Sequence, residues 1–360
     1  MGKHRFHKEP YDAGTLTKLD IFEAYTQAWI PVFLSQPEPR FTEVHIFDFF
    51  CGPGTDSTGA PGSPLRILKQ LKIYHASHRL YGWDKVKIYV HLSDADHGKC
   101  SALAELIDTP DWKTPGVSVQ VNTLLFEEAL ATHRAILENP RAAKLLIIDQ
   151  CGVNAVTDAV FHCLTKLPTS DFIFFLSSST LNRFRDHPSI KVKIDRPEDS
   201  YHVHRLAFEH FKDLADADYF LGRFSIKKPK GNIYGLIFGS AHPRGIHKFL
   251  EVAWNNDAIS GEANFDIDRD NIAADELLLD LPVMRPKKIQ EFESDLEATI
   301  RSGAINNEST LLRFLMEAGM TSRHSRTILK KLKDEHVIAC EFNSPDIRNF
   351  YKGTRSITLL

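Results

Sequence analysis

The 360-residue sequence predicts an α/β fold, with a mostly parallel sheet and helices on both of its faces. Short apolar runs of strand length alternate with segments of helical length through the first two thirds of the chain. The apolar runs lie at 44–50, 87–94, 117–122, 144–150, 171–178 and 232–240. The helices between them are expected at 63–72, 97–108, 124–138, 153–166 and 244–256. Such alternation is typical of parallel strands joined by crossover helices.

An amphipathic helix is expected before the first strand. Apolar residues recur at helical spacing between residues 16 and 32, so the segment 1–39 is predicted to be helical and to cover one face of the core. The stretch 181–230 interrupts the alternation with a basic loop and one helical pattern. It is interpreted as an insertion over the ligand-binding edge of the sheet. The first domain is therefore predicted to span 40–256.

The last third of the chain differs in composition. Residues 257–289 are polar and acidic and are predicted to be a linker. Residues 290–360 contain two helical patterns separated by a Gly-Met turn, followed by two short apolar strands. Helix, turn, helix and a two-stranded wing is the order of a winged helix-turn-helix domain.

Composition excludes several classes of protein. The chain carries 44 Lys and Arg against 47 Asp and Glu, so nucleic-acid contacts would have to come from local patches. Its five cysteines are dispersed and form no C-x-x-C pair, so no structural metal site is expected. The start has no apolar signal region, and no run of about 18 apolar residues occurs. We expect a cytoplasmic protein with reduced thiols and no membrane contact.

A glycine turn follows the first predicted strand, in the stretch "FDFFCGPG". In open α/β sheets the first such turn is the usual ligand site, and it would place Asp48, Gly52 and Gly54 at the carboxyl end of the strand. Glycine lets a ligand approach the backbone, and Asp48 would accept hydrogen bonds from an ammonium group or order the loop. The stretch is not a dinucleotide fingerprint, and no G-K-[ST] follows to make a phosphate-binding loop.

Two later strand ends favour S-adenosylmethionine (SAM) as the ligand. Asp94 ends the second strand and would accept hydrogen bonds from both ribose hydroxyls, with Asp96 close behind. Asn122 ends the third apolar run and would meet the adenine amino group. The alternative is that the glycines only allow a tight turn that binds no ligand, and that the acids only cap helices.

The fourth apolar run ends in "IIDQCG". A carboxylate at Asp149 would lie near the methyl group to be transferred, so Asp149 is the candidate catalytic residue. Enzymes that methylate amino groups of bases often carry Asp-Pro-Pro-Tyr here, whereas this chain has Gln150 and Cys151. Cys151 as a nucleophile would resemble cytosine-C5 methyltransferases, but we interpret it as a small packing residue.

Together these segments resemble the three-Cys-motif partner proteins (TcmP), a family with a class I methyltransferase-like domain. The matching stretches lie within residues 15–255 and are "TLTKLDIFEAYTQAW", "FDFFCGPG" followed by "GSPL", "IIDQCG" and "YGLIFGSAHPRG". The resemblance implies a Rossmann-like domain that uses SAM, and a genetic partner with three cysteines, for which a radical-SAM-like protein is one candidate. Cys51 stands where the family usually has Ala. Gln150 replaces the usual Pro, which weakens the expectation of amino methylation.

The C-terminal module offers basic residues for nucleic acid. Arg323, Arg326 and Lys330 lie on the predicted second helix of the helix-turn-helix, where such side chains meet phosphates and base edges. A protein-docking module is the alternative. The insertion adds further basic residues: Arg183, Arg185, Lys191, Lys193, Arg196, Lys227, Lys228 and Lys230.

Two hypotheses of function follow. The first is a SAM-dependent methyltransferase that acts on DNA or RNA. The second is a non-catalytic adaptor that binds SAM or nucleic acid and works with a three-cysteine partner protein.

Overall fold

The computed structural model describes residues 9–77, 80–150, 155–176, 203–229, 231–272, 285–353 and 355–360. The chain divides into two compact units between Ala241 and His242. The predicted domain boundaries near residues 39, 256 and 289 stay predictions. Among the described helices none is long and apolar enough to cross a membrane.

The first unit contains a seven-stranded sheet in the order β3-β2-β1-β4-β5-β7-β6. The strands are β1 Glu43–Asp48, β2 Lys87–Asp94, β3 Val117–Thr123, β4 Ala142–Ile148, β5 Ser170–Leu176, β6 Phe220–Lys227 and β7 Ile233–Ser240. Strand β7 alone runs antiparallel to its neighbours, which are β5 and β6. An open, mostly parallel sheet with helices between its strands is an α/β architecture, so the predicted α/β fold is confirmed for this unit.

The register brings several strand ends to one edge of the sheet. β1 lies between β2 and β4, and Asp48 at its end pairs with Leu92 on one side and Ile147 on the other. The strand order reverses at β1, because β2 and β3 lie to one side of it and the later strands to the other. Ligands of open α/β sheets bind at such a switch point, outside the carboxyl ends of the strands.

Helices cover both faces of this sheet. Their bounds are α1 Ala13–Leu34, α2 Ser63–Ser77, α3 His97–Ile107, α4 Phe126–Thr132, α5 Arg134–Leu137, α6 Asp158–Lys166 and α7 Val203–Leu214. One apolar core contains Phe126 of α4, Phe161 of α6 and Phe211 of α7, packed against Phe172 and Ile237 of the sheet. Burial of this aromatic-rich core is a main source of the unit's stability.

Helix α1 packs on the opposite face. The Asp12 side chain caps its N-terminus by accepting a hydrogen bond of 2.7 Å from the amide of Thr15. Tyr25 packs edge to face on Phe238 with 5.0 Å between ring centroids, and its hydroxyl donates a hydrogen bond of 2.7 Å to Asp171. The predicted N-terminal helix is thus an integral layer of the first unit.

The predicted insertion 181–230 is wrong at its C-terminal end. Residues 220–227 form β6, a strand of the sheet that pairs with β7 over eight residue pairs. The stretch was missed because its apolar positions Phe220, Phe224 and Ile226 are interrupted by glycine, arginine and serine, as suits a strand at the sheet edge. The predicted helix before it is observed as α7, which packs into the core, while 177–202 lie outside the described residues.

The second unit is mainly helical. Its elements are α8 Pro243–Asn256, α9 Lys287–Arg301, α10 Glu308–Glu317, α11 Arg326–Asp334 and the two-residue strands β8 Ile338–Ala339 and β9 Thr358–Leu359. One apolar core joins Trp254 of α8 to residues of α9, α10 and α11. The indole of Trp254 donates a hydrogen bond of 2.9 Å to the carbonyl of Gly319. The described helices and the antiparallel β8–β9 pair follow the predicted order, but the winged helix-turn-helix assignment itself is not established.

Candidate functional site

The turn after β1 needs glycine at two positions. Gly52 and Gly54 have φ values of +63° and +94°, in the region where a side chain is strained. A Cβ at Gly54 would come within 2.9 Å of Leu103 and 3.1 Å of Leu106. The carbonyl of Gly54 accepts a hydrogen bond of 2.7 Å from the amide of Gly62, which closes the loop before α2. The turn is therefore fixed in a shape that glycine alone adopts without strain.

The acid at the end of β2 lies against this turn. Oδ2 of Asp94 accepts a hydrogen bond of 3.2 Å from the amide of Gly52, and Oδ1 accepts one of 2.9 Å from the amide of Asp96. Nζ of Lys99 lies 3.5 Å from Oδ2. These partners compensate the cost of burying the charge of Asp94. The ends of the first two strands thus share one carboxylate.

Cys100 contacts the backbone of both Asp94 and Asn122, and so links the ends of β2 and β3. Sγ of Cys100 lies 3.4 Å from the carbonyl oxygen of Asp94 and 3.4 Å from that of Asn122. Asn122, predicted to end the third apolar run, is the penultimate residue of β3 and is half-buried. The structure therefore brings all five predicted cofactor residues to the same edge: Asp48, Gly52, Gly54, Asp94 and Asn122.

Asp48 is fully buried at the end of β1. Oδ1 accepts a hydrogen bond of 3.2 Å from the amide of Phe50. Oδ2 has no well-aligned hydrogen-bond partner within the described part of the chain, which is uncommon for a buried oxygen, although the nearby Ser63 side chain acts to lower the pKa of Asp48. Burial, helped by the charges of Asp149 and Asp94, raises the pKa of Asp48 to about 7. A buried carboxyl oxygen beside the glycine turn is therefore a candidate hydrogen-bond acceptor for a ligand.

Lys18, which was not among the predicted site residues, binds the predicted catalytic residue Asp149. Nζ of Lys18 lies 2.7 Å from Oδ1 and 2.5 Å from Oδ2 of Asp149. Both side chains are buried, since the two residues are 5% and 9% exposed. The ammonium also lies 4.6 Å from the ring centroid of Phe175 on β5, within the range of a cation–π interaction. Asp149 is therefore held in one orientation from the N-terminal helix.

A signal for Lys18 was present in the sequence. Lys18 lies on the buried stripe of α1, four residues before Phe22 and seven before Tyr25. A lysine is rarely buried unless it is paired. A lone lysine on an otherwise apolar stripe thus indicates an acidic partner, although it does not say which one.

Gln150 has a structural role. Its amide nitrogen donates a hydrogen bond of 2.8 Å to the carbonyl of Phe175. Its amide oxygen accepts hydrogen bonds from the amides of Ala155 at 2.5 Å and Val156 at 3.1 Å. The side chain is fully buried and ties the loop after β4 to β5. Cys151, the other departure at this position, lies outside the described residues.

The basic residues of the predicted insertion divide into two groups. Lys227 ends β6, and Nζ of Lys228 lies 3.0 Å from Oγ1 of Thr15 and 3.2 Å from Oδ2 of Asp12. Lys228 therefore already has partners at the start of α1. The other six lie outside the described residues: Arg183, Arg185, Lys191, Lys193, Arg196 and Lys230.

The three predicted nucleic-acid contacts lie on the surface of the second unit. Arg323 lies not on the second helix, as predicted, but on a short 3-10 helix before it, Ser322–Ser325. Its guanidinium lies 5.7 Å from the ring centroid of Trp254. Arg326 and Lys330 lie one turn apart on α11, and both are exposed. Neither forms a salt bridge with any residue that the structure describes.

Other lysines of α11 are already engaged. Nζ of Lys331 lies 2.7 Å from Oε2 of Glu297 on α9. Nζ of Lys333 donates hydrogen bonds to the carbonyl of Phe342 at 2.9 Å and to Oδ1 of Asn343 at 2.7 Å. The uncompensated positive charge of this helix is therefore confined to the face of Arg326 and Lys330.

No group of three or more His, Cys, Asp or Glu among the described residues is arranged to hold a metal ion. No sequence family and no curated protein matches the chain. Solved structures that resemble it include an rRNA methylase from Streptococcus thermophilus, with 7% identity, a TM-score of 0.30, and coverage of 59% of this chain and 93% of that one.

Two further structures give similar values. A Streptococcus mutans protein described as a methyltransferase, solved with S-adenosylhomocysteine (SAH), has 10% identity and a TM-score of 0.29, covering 58% of this chain and 94% of its own. The precorrin-6y C5,15-methyltransferase of Geobacter metallireducens has 9% identity and a TM-score of 0.28, covering 59% and 86%. Likenesses this distant carry no argument about function, which is inferred from the chain's own residues.

Proposed function

We propose that this chain binds SAM at the carboxyl edge of β1, β2 and β3 and is a SAM-dependent methyltransferase. The observation that supports this proposal is the hydrogen bond from the Gly52 amide to Asp94, which joins the glycine turn to the acid of the second strand. SAM would supply the methyl group. A ligand with a ribose and an ammonium group matches an acid at the β2 end and a buried, unpartnered carboxyl oxygen at the β1 end.

Each predicted residue has a role in this proposal. Asp94 would accept hydrogen bonds from the ribose hydroxyls, and Asn122 would bond the adenine amino group. Asp48 would bond the ammonium group, and Gly52 and Gly54 would let the ligand approach the backbone. Asp149 would orient the methyl acceptor at the end of β4. In this role the carboxylate of Asp149 would increase the rate by holding the reacting groups in line.

We further propose that the acceptor is nucleic acid, held by the second unit. Supporting this are the exposed Arg323, Arg326 and Lys330. The chain just before α10 also forms one isolated antiparallel bridge with the chain near β9, from Asn307 to Ser356. A helix pair followed by a small two-stranded sheet is the order of elements in a winged helix, which supports this part of the proposal.

The second candidate is an adaptor that binds SAM or nucleic acid without transfer and works with a three-cysteine protein of the TcmP type. Two observations favour it. The side-chain amide of Gln150 already forms hydrogen bonds with the backbone of its own chain, so it cannot recognise a methyl acceptor. Asp149 has both oxygens engaged by Lys18.

Calorimetry with SAM and SAH, followed by transfer of labelled methyl groups from SAM, tests the two candidates. The acceptors are duplex DNA, single-stranded RNA and a co-encoded three-cysteine protein. The methyltransferase predicts label on a nucleic acid, and loss of that label in Asp149→Asn. Tight SAM binding with no label on any acceptor would establish the adaptor, and absence of SAM and SAH binding would overturn the proposed site.

A further inference from the structure

Lys18 and Lys228 connect α1 to the carboxyl edge of the sheet. Each of them also contacts one ring of a stacked aromatic pair. Phe175 of β5 and Tyr234 of β7 stack with 5.3 Å between centroids and 13° between ring planes. Nζ of Lys18 lies 4.6 Å from the centroid of Phe175, and Nζ of Lys228 lies 4.8 Å from that of Tyr234. The first turns of α1 are thus held at two points on one edge of the sheet.

The two points differ in their surroundings. The Lys228 and Asp12 side chains are 19% and 39% exposed, whereas those of Lys18 and Asp149 are 6% and 11% exposed. A partly exposed pair keeps more of its hydration and costs less to form than a buried one. A buried pair loses hydration, and apolar residues of similar size often stabilise a fold as well or better. Anchoring of α1 therefore does not by itself require a buried charge pair beside the proposed methyl acceptor.

We propose that Lys18 is a positioning residue of the methyl-transfer site, which holds the carboxylate of Asp149 in one orientation and balances its charge beside the sulfur of the methyl donor. This inference rests on the proposed function, because it requires the donor to lie in the Gly52 turn. SAM carries a sulfonium cation, whereas the sulfur of SAH is neutral. The ratio of their affinities therefore reports the net charge next to the sulfur.

The experiment measures both affinities by calorimetry at about pH 8, above the value of about 7 to which the pKa of Asp48 is raised. The proteins are the full-length parent, Lys18→Met, Lys18→Arg, Asp149→Asn and the double variant Lys18→Met with Asp149→Asn. Lys18→Met leaves an unpaired carboxylate, so it should raise the preference for SAM over SAH about tenfold. Asp149→Asn removes the negative charge beside the Lys18 ammonium and should lower that preference by a similar factor. Lys18→Arg and the double variant should stay near the parent ratio.

Each outcome decides the matter. If Lys18→Met and Asp149→Asn change the SAM and SAH affinities by the same factor, Lys18 is a structural anchor and the inference is wrong. If Lys18→Met does not fold, the opposite shift expected of Asp149→Asn and the parent-like ratio of Lys18→Arg still test it. If the parent binds neither ligand, the proposed function fails first and the inference falls with it.

Discussion

The amide of Gly52 donates a hydrogen bond of 3.2 Å to Oδ2 of Asp94, so the glycine turn and the end of β2 share one carboxylate. A ligand that forms a hydrogen bond with Asp94 must therefore also fit against the glycine turn. The other oxygen of Asp94 accepts from the amide of Asp96, which leaves the carboxylate little freedom to rotate. Such preorganisation reduces the ordering that ligand binding would otherwise require.

Asp94→Ala should weaken SAM and SAH binding by about 1 to 3 kcal/mol, because it removes a charged hydrogen-bond acceptor from a buried site. Asp96→Ala is the matched control. Asp96 is the N-cap of α3, where its side chain accepts from Gly98 and Lys99, so its loss should lower stability by about 1 kcal/mol and leave ligand affinity near the parent value. Calorimetry and chemical unfolding separate the two effects. Equal affinities in both variants would contradict the assignment of Asp94.

Gly54→Ala should cost more stability than Gly59→Ala. Both glycines have positive φ, at +94° and +85°, so each substitution carries the backbone strain of that region, about 1 kcal/mol or more. A Cβ at Gly54 would also crowd Leu103 at 2.9 Å, whereas a Cβ at Gly59 meets no atom within 4 Å. Urea unfolding of the two variants measures the difference. Identical losses would show that the Leu103 contact relaxes freely.

The cofactor residues could be predicted from the sequence because their signals are local. Asp48 and Asp94 each end a buried apolar run, and parallel strands bring such ends to a common edge. Lys18 and Asp149 are 131 residues apart, and no local pattern links a lysine on a helix stripe to one acid among many. Such a pair becomes visible when the register of β4 and the docking of α1 are known.

The edge strand β6 was missed for a related physical reason. At an edge, one side of the strand is not paired and the apolar pattern is diluted by Gly222 and Arg223. The role of Gln150 could not be predicted either. A glutamine after a strand suggests a departure from a motif, and nothing in its neighbours shows that its amide bonds to Phe175, 25 residues later.

Asp48 should make the stability of the protein depend on pH. Its pKa is raised by burial from 3.8 to about 7, so the folded state holds a proton that the unfolded state has lost. The contribution of Asp48 to the free energy of unfolding therefore falls as pH rises from about 4 to about 7. In Asp48→Asn this dependence should vanish. Unfolding midpoints of parent and variant across that range check it, and parallel curves would show that Asp48 titrates normally.

The buried histidines should act with the opposite sign. Nδ1 of His45 lies 3.0 Å from Nε2 of His91, and His133 packs on His91 with 4.7 Å between centroids. Burial, with the charges of His133 and His45, lowers the pKa of His91 from 6.5 to about 3. The unfolded state thus binds the proton first, and this stability is lost as pH falls from about 6.5 towards 3. His91→Gln should lose less stability than the parent over that interval, as thermal unfolding would show. The carboxylate of Glu43, 3.5 Å from His45, would reduce the effect without reversing it.

Basic residues on α11 and just before it are of two kinds, those without an acidic partner among the described residues and those already paired. Replacing Arg323, Arg326 and Lys330 by Ala should weaken binding to duplex DNA or RNA, because uncompensated cations release counterions from the phosphate backbone. Lys331→Ala is the matched control on the same helix, since Lys331 already pairs with Glu297. Its removal should change nucleic-acid binding little.

Salt dependence distinguishes phosphate contact from other causes. Each lost phosphate contact should reduce the slope of log affinity against log salt by about 1, so the triple variant should show a visibly flatter line between about 50 and 200 mM salt. SAH affinity should stay at the parent value, because the proposed cofactor residues belong to the first compact unit. If the triple variant binds DNA and RNA as the parent does at every salt concentration, these three exposed cations meet a protein instead. The adaptor would then be the better account of this chain.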